Sequence, residues 1–121
     1  MATFTGKKSI AQTDFLLTDT DVRGTGVYIG KDVFGGAAVV HNIFVENSGA
    51  IAYLKIYNVG VPDVGTTSPD IILVAPASEE VVWTIVDGLA FTNFSYASVS
   101  NKGTGGVSAP AGTIKLHAVV R

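Results

Sequence analysis

The sequence predicts an all-β protein: a single antiparallel β-sandwich with almost no helix. Three observations carry this expectation. Apolar residues alternate with a period of two nearly everywhere, the signature of strands that bury one face. Fourteen glycines and four prolines interrupt that pattern at short intervals, as turns between strands require. No segment sustains a 3.6-residue apolar repeat beyond two turns.

The first half of the chain gives the noisier pattern. Residues 1–12 are polar, contain the doublet Lys7-Lys8, and read as a flexible N-terminal arm ahead of a sandwich domain at 13–121. Thr13–Leu17, Gly26–Ile29 and Ala38–Glu46 are predicted strands, separated by Asp19–Gly24 and Gly35-Gly36. The cleanest strand is 51–58. Ala52, Leu54 and Ile56 point one way there, and Ile51, Tyr53, Lys55 and Tyr57 the other. Ile71-Ile72-Leu73-Val74 is apolar on both faces and stops before Pro76, which cannot donate to a sheet ladder.

Residues 80–86 set Val81, Trp83 and Ile85 against Glu80, Val82, Thr84 and Val86, which makes Trp83 a predicted core residue. Asp87-Gly88 then reads as a turn, because glycine accepts positive φ without steric cost. Phe94, Tyr96 and Ser98 alternate with Ser95, Ala97 and Val99, and Asn101–Gly106 follows as a flexible exposed loop. In the final strand, 113–120, Ile114, Leu116, Ala118 and Val120 face inward. About eight strands result, close to the count of a jelly roll.

Composition narrows the function. At 121 residues this is one domain by length, large enough to bury a core without staples. The absence of cysteine removes disulfides, thiolate metal sites and a cysteine nucleophile. Eight basic and ten acidic residues give a net charge of −2, and two adjacent lysines do not make the basic stripe that phosphate neutralisation needs. Nucleic acid is therefore not an expected partner. Only 15% of residues are charged, against about 25% in a typical soluble domain. Yet no apolar run approaches the ~18–20 residues that span a bilayer, so no membrane is expected either. The start of the chain lacks the apolar stretch of a secretory signal.

Motifs that could carry chemistry fail on their own requirements. Gly30-Lys31 would belong to a phosphate loop, but Thr25 stands at the first glycine position and Asp32 at the hydroxyl position. Gly24-Thr25-Gly26 has Ile29 where a dinucleotide fingerprint needs its third glycine. Asp19-x-Asp21 and Gly24 begin a calcium-loop pattern, but Gly30 replaces the bidentate glutamate at its twelfth position. His41 and His117 lie in predicted strands with no acidic residue evidently placed beside either. Glu79-Glu80 would point to opposite faces of a strand, which rules them out as a paired-carboxylate site. No nucleophile–base–orienter set assembles, so no enzyme, metal or cofactor is expected. The sequon Asn93-Phe94-Ser95 abuts a strand and carries no weight.

The segment Ala52-Tyr53-Leu54-Lys55-Ile56-Tyr57-Asn58, then Gly65-Thr66-Thr67-Ser68-Pro69-Asp70, Asp87-Gly88-Leu89-Ala90-Phe91 and Phe94-Ser95-Tyr96-Ala97 has a recognisable order. It resembles the small jelly-roll-like β-sandwich proteins of tailed-bacteriophage virions. There an aromatic Y-L-K-L-Y strand precedes a V-G-T-x-x-P loop, a hydrophobic strand, a G-L-x-F turn and a final sheet strand. The resemblance covers roughly residues 50–120. It implies a non-enzymatic capsid decoration or cement protein in the virion, assembled in the host cytoplasm, with the major capsid protein or another virion protein as partner. A tail, fibre or neck component is the alternative within that class, and a carbohydrate-binding module the alternative outside it.

The residues themselves suggest how such a protein would assemble. Tyr53, Lys55 and Tyr57 form a stripe that is a candidate oligomer interface, because tyrosine offers large contact area at little rotamer cost. The same stripe could stack on a sugar. Low charge and two-faced apolar strands predict a homodimer or trimer, with an interface of roughly 1,200 Å² or more. Lys7 and Lys8 make the N-terminal arm a candidate docking element.

Overall fold

The structure, a computed structural model, describes residues 4–8, 15–19, 29–30, 33 and 35–120. Its strands are β1 (Phe4–Lys8), β2 (Phe15–Asp19), β3 (Ile29–Gly30), β4 (Ala38–Asn47), β5 (Ala52–Tyr57), β6 (Ile71–Ala75), β7 (Glu80–Phe91), β8 (Ser95–Val99) and β9 (Ile114–Val120). Among the described residues there is no helix. One sheet has the order β1-β2-β9-β4-β7 and the other β3-β8-β5-β6.

The pairings are nested. β5 pairs with β6, β4 with β7, β3 with β8 and β2 with β9, all antiparallel. This is one long hairpin with its tip at 58–70, rolled so that successive pairs fall in opposite sheets. Rolling adds two lateral ladders, β4 to β9 and β5 to β8. Eight strands wound this way form a jelly roll, as the strand count predicted, with β1 as an additional edge strand.

Alternation decides what enters the core. Val40, Ile43 and Val45 of β4 and Ile114, Leu116 and Ala118 of β9 face Leu54 and Ile56 of β5 and Tyr96 of β8, all buried. Phe94 stands edge-on to Phe91, with ring centroids 5.1 Å apart, and lies 5.8 Å from the Tyr96 ring. Edge-to-face contact suits aromatic quadrupoles and adds to the burial of the rings.

Three expectations need correction. Phe4–Lys8, assigned to a flexible arm, run as β1 in register with β2; the rest of 1–12 lies outside the described residues. The second strand is Phe15–Asp19 instead of Thr13–Leu17, and of the predicted strand Gly26–Ile29 only Ile29 is described, paired with Ala97. β7 continues through Asp87-Gly88 to Phe91, because β4 still offers a ladder as far as Ala38.

The Asp87-Gly88 signal was real but serves a bulge. His41 of β4 stands opposite four residues of β7, since Val40 pairs with Leu89 and Asn42 with Thr84. Against β9, His41 is likewise one residue too many. Gly88 adopts φ +76°, and a β-carbon there would sit 2.4 Å from Val39 Cγ1 and 2.8 Å from His41 Cε1. Both conformation and space therefore require glycine.

At one end of the sandwich three connections are tied together. Asn47, 4% exposed, ends β4; its Nδ2 lies 2.8 Å from Ala50 O, 3.0 Å from Ala75 O and 3.2 Å from Pro76 O. Its Oδ1 accepts from Gly49 N at 2.9 Å. Ser78 N, at φ +54°, donates to Gly49 O, and Ser48 exchanges bonds with Thr113 through its backbone N and its Oγ. Gly49 and Gly112 meet backbone to backbone: a β-carbon on Gly112 would be 2.3 Å from Gly49 N.

Gly112→Ala should therefore cost about 1–3 kcal/mol, the range for overpacking against atoms that cannot retreat. Gly105→Ala, with nothing within 4 Å of its β-carbon position, should stay within about 0.5 kcal/mol of wild type. Chemical denaturation of the two variants checks both values.

Candidate interaction surface

The predicted stripe Tyr53/Lys55/Tyr57 does lie on the outward face of the four-stranded sheet. Its cross-strand partners there are Val99, Ala97 and Ser95. That face is nevertheless covered by the chain's own loops. Lys55 and Tyr57 are 0% exposed, Ala97, Val99 and Ser95 are buried as well, and Tyr53 is half-buried. The stripe is therefore not available as an interface or a sugar platform, which corrects the expectation.

The covering loops are held by polar contacts. Lys55 Nζ donates to Gly103 O at 2.6 Å and Gly106 O at 3.2 Å, so the loop expected to be flexible is tied down although Asn101–Gly105 stay exposed. Ser95 Oγ donates to Val59 O at 2.5 Å, and Asn58 Oδ1 accepts from Thr92 N and Asn93 N. Desolvation holds the Lys55 ammonium below its ordinary value of 10.5. The buried Tyr57 hydroxyl has no hydrogen-bond partner among the described residues, and burial pushes its phenol above 10.0.

The exposed apolar surface lies elsewhere, along the open side of the sandwich. β6 is the edge of one sheet and β7 the edge of the other, and the short connection 76–79 brings them to the same side. Between them is a groove of about 440 Å³ lined by Ile43, Ile71, Leu73, Val82, Trp83, Thr84, Ile85 and Leu89. Trp83 is half-buried there and packs against the core without being enclosed by it. Its predicted face was correct; its predicted enclosure was not, because β7 is an edge. A smaller cavity of about 240 Å³ shares Ile71 and Leu89 and reaches Asn58 and Asp70.

The strip continues on the outer faces. Ile72 and Val74 of β6 are 39% and 44% exposed, Val82 and Val86 of β7 53% and 87%. The two-faced apolar pattern of 71–74 and 82–86 is the sequence signal for this surface, and of the features that suggest surplus apolar surface it is the one the structure leaves exposed. Among the described residues no ionisable side chain lines the groove, and the one hydroxyl there, Thr84 Oγ1, accepts from Asn42 Nδ2 at 3.4 Å. It offers shape and apolar contact, with no group to move a proton.

The other candidates are separate. Glu46, Glu79, Glu80 and Lys115 line a polar cleft of about 230 Å³ at the tied end. His117 Nε2 is 3.9 Å from Glu46 Oε2, and its ring lies 5.5 Å from Phe44, which corrects the expectation of no acid beside either histidine. Register explains the approach: Phe44 is directly opposite His117 and Glu46 opposite Lys115 on the outer face. His41 Nε2 is buried without a partner among the described residues. No group of three or more His, Asp or Glu able to hold a metal occurs among the described residues. Of the calcium-loop pattern, Asp19 ends β2 and Asp21 and Gly24 lie outside the described residues. Lys7 and Lys8 lie in β1, opposite Leu16 and Phe15.

No family model matches this sequence, and no curated protein does. Two solved structures align along nearly the whole chain. The crystal structure of CoII HppE in complex with Tris buffer aligns at TM-score 0.39 and 15% identity, over 99% of this chain and 53% of that one. FeII HppE aligns at TM-score 0.29 and 12% identity, over 98% and 56%. The chain thus spans about half the length of either, at scores below those of a shared fold.

Trp83→Ala should cost roughly half of the ~3–5 kcal/mol for truncating an enclosed aromatic, as read by denaturant unfolding. Tyr57→Phe should stabilise by about 1 kcal/mol, since it removes a buried hydroxyl with no partner. Its advantage should widen above pH 10. There the unfolded wild type ionises Tyr57 while the folded state, with its raised pKa, does not, so wild-type stability falls as pH rises. Lys55, with its depressed pKa, contributes in the opposite sense as pH approaches 10.5, and it does so equally in both proteins. The difference between the two unfolding curves therefore isolates the tyrosine.

Proposed function

We propose that this chain is a non-enzymatic structural protein of a tailed-phage virion, a capsid decoration or cement subunit that acts through apolar contacts. The observation that carries the reading is the unprotected open side. Val81-Val82-Trp83-Thr84-Ile85-Val86 on β7 and Ile71–Ala75 on β6 are strong β-formers without a charge or proline, both at sheet edges. Soluble proteins blunt such edges with lysine, proline or a covering element, because free ladder groups beside apolar side chains invite another chain. A subunit built for permanent contact has no such need.

The sequence resemblance over residues 50–120 and the nested jelly roll support the same reading. Self-association as a dimer or trimer would bury Val74, Val82 and the Trp83 groove, and the shell protein would meet the remaining surface. A tail, fibre or neck component would use the same surface against a different partner. The carbohydrate-binding alternative depended on Tyr53 and Tyr57, and with Tyr57 inside the protein its platform is gone.

Sedimentation over a wide concentration range should show a dimer or trimer, and Val74→Glu with Val82→Glu should return it to monomer. Both positions are exposed, so the monomer's melting temperature should hardly move. A wild type that stays monomeric at the highest concentration would defeat the self-association claim. Mass spectrometry of purified particles tests the virion assignment separately: absence of the chain from them defeats that part.

A further inference from the structure

The loop after β8 has the construction of a strap. Ser100 N donates to Ser108 O at 2.9 Å and closes its base. Within it Gly106 N donates to Gly103 O, and Gly103 N to Asn101 Oδ1, each at 2.9 Å. The loop therefore keeps its own shape, yet it has little apolar grip on the body of the protein. Asn101–Gly105 are exposed, and Val107, its one large apolar side chain, is 48% exposed where it packs over Gly65.

What ties it to the sheet is Lys55, whose ammonium is fully buried and donates to the Gly103 and Gly106 carbonyls. No carboxylate lies within ion-pair distance of that ammonium among the described residues. Closure gains two charge-assisted hydrogen bonds, while opening returns an unpaired charge to water. The bonds win by a modest margin, which makes Lys55 the latch and sets the cover apart from the sheet beneath it.

We propose that residues 100–108 form a strap latched by Lys55 over the outer face of the four-stranded sheet, and that it opens as a unit without unfolding the sandwich. Opening uncovers Lys55 beside its β6 partner Ile72, which is already exposed. The strap is thus a cover that moves apart from the sheet it lies on, whatever the particle the protein serves.

Lys102 at the exposed crest supplies the readout. Trypsin cleavage after Lys102 tracks the open population when reclosing outpaces cutting. In Lys55→Met it should be about tenfold faster or more, with the unfolding midpoint of the uncut protein little changed. An unchanged or slower rate in a folded Lys55→Met variant overturns the latch. Should that variant fail to fold, acylation of the wild-type lysines decides, read by peptide mass mapping. Lys55 should react more slowly than the exposed Lys102 and faster than global unfolding permits. Reaction at the rate of global unfolding means the cover never opens alone, and reaction as fast as that of Lys102 means it is never closed; either result overturns the proposal.

Discussion

The arrangement rests on the side chain of Asn47. A rolled hairpin needs its crossings fixed, because a strand leaving one sheet is free to enter the other at more than one register. Asn47 stands where the chain leaves β4 for β5, and its amide reaches the carbonyls where β6 ends. One buried group thus sets the distance between the two sheets at that end. The Ser48–Thr113 bonds and the Gly49–Gly112 contact then bring the start of β9 to the same point. A hydrophobic residue at 47 would leave the carbonyls of residues 50, 75 and 76 competing for water at a nearly closed position. Such deficits cost about 1–3 kcal/mol for each buried group left unsatisfied.

The unusual composition has a second explanation beside assembly. A two-layer sandwich ordinarily buries one face of each sheet and leaves the other wet. Here the outward face of β5 and β8 is covered by the 58–70 and 100–112 segments, which adds a third layer made of loops. Tyr57, Ala97 and Val99 on this outward face are buried, which suits their apolar side chains. Part of the low charge content is therefore spent within the chain, and among the described strands the exposed apolar residues lie mainly on β6 and β7.

Period-two alternation made β5, β6 and β9 legible, since their ladders run without a register shift, and β4 legible on either side of its bulge at His41. It also gave the correct inward parity for Val81, Trp83 and Ile85. What it could not give was sheet order, and order decides whether an inward residue is enclosed, as Ile43 is, or half-open at an edge, as Trp83 is. Lys55 misled for a related reason. A lysine at an outward position reads as solvated, and the loop that buries it lies about fifty residues away with no periodicity to announce its destination. Asp87-Gly88 reads as a turn because its local chemistry is that of a turn. The continuing ladder along β4 is a tertiary fact, and it converted the same chemistry into a bulge.

The nested pairing also determines the order in which the molecule can be made. β9 is the last strand in sequence, yet it lies between β2 and β4 in the five-stranded sheet. Until it has been synthesised, β2 has no way to join β4. The β5–β6 hairpin, whose 58–70 loop is the shortest among the nested pairs, is the cheapest contact to form, and each outer pair requires closing a longer loop than the one before. A chain emerging from the ribosome therefore waits, with one ladder edge of β4 unpaired, for a strand made after the other eight.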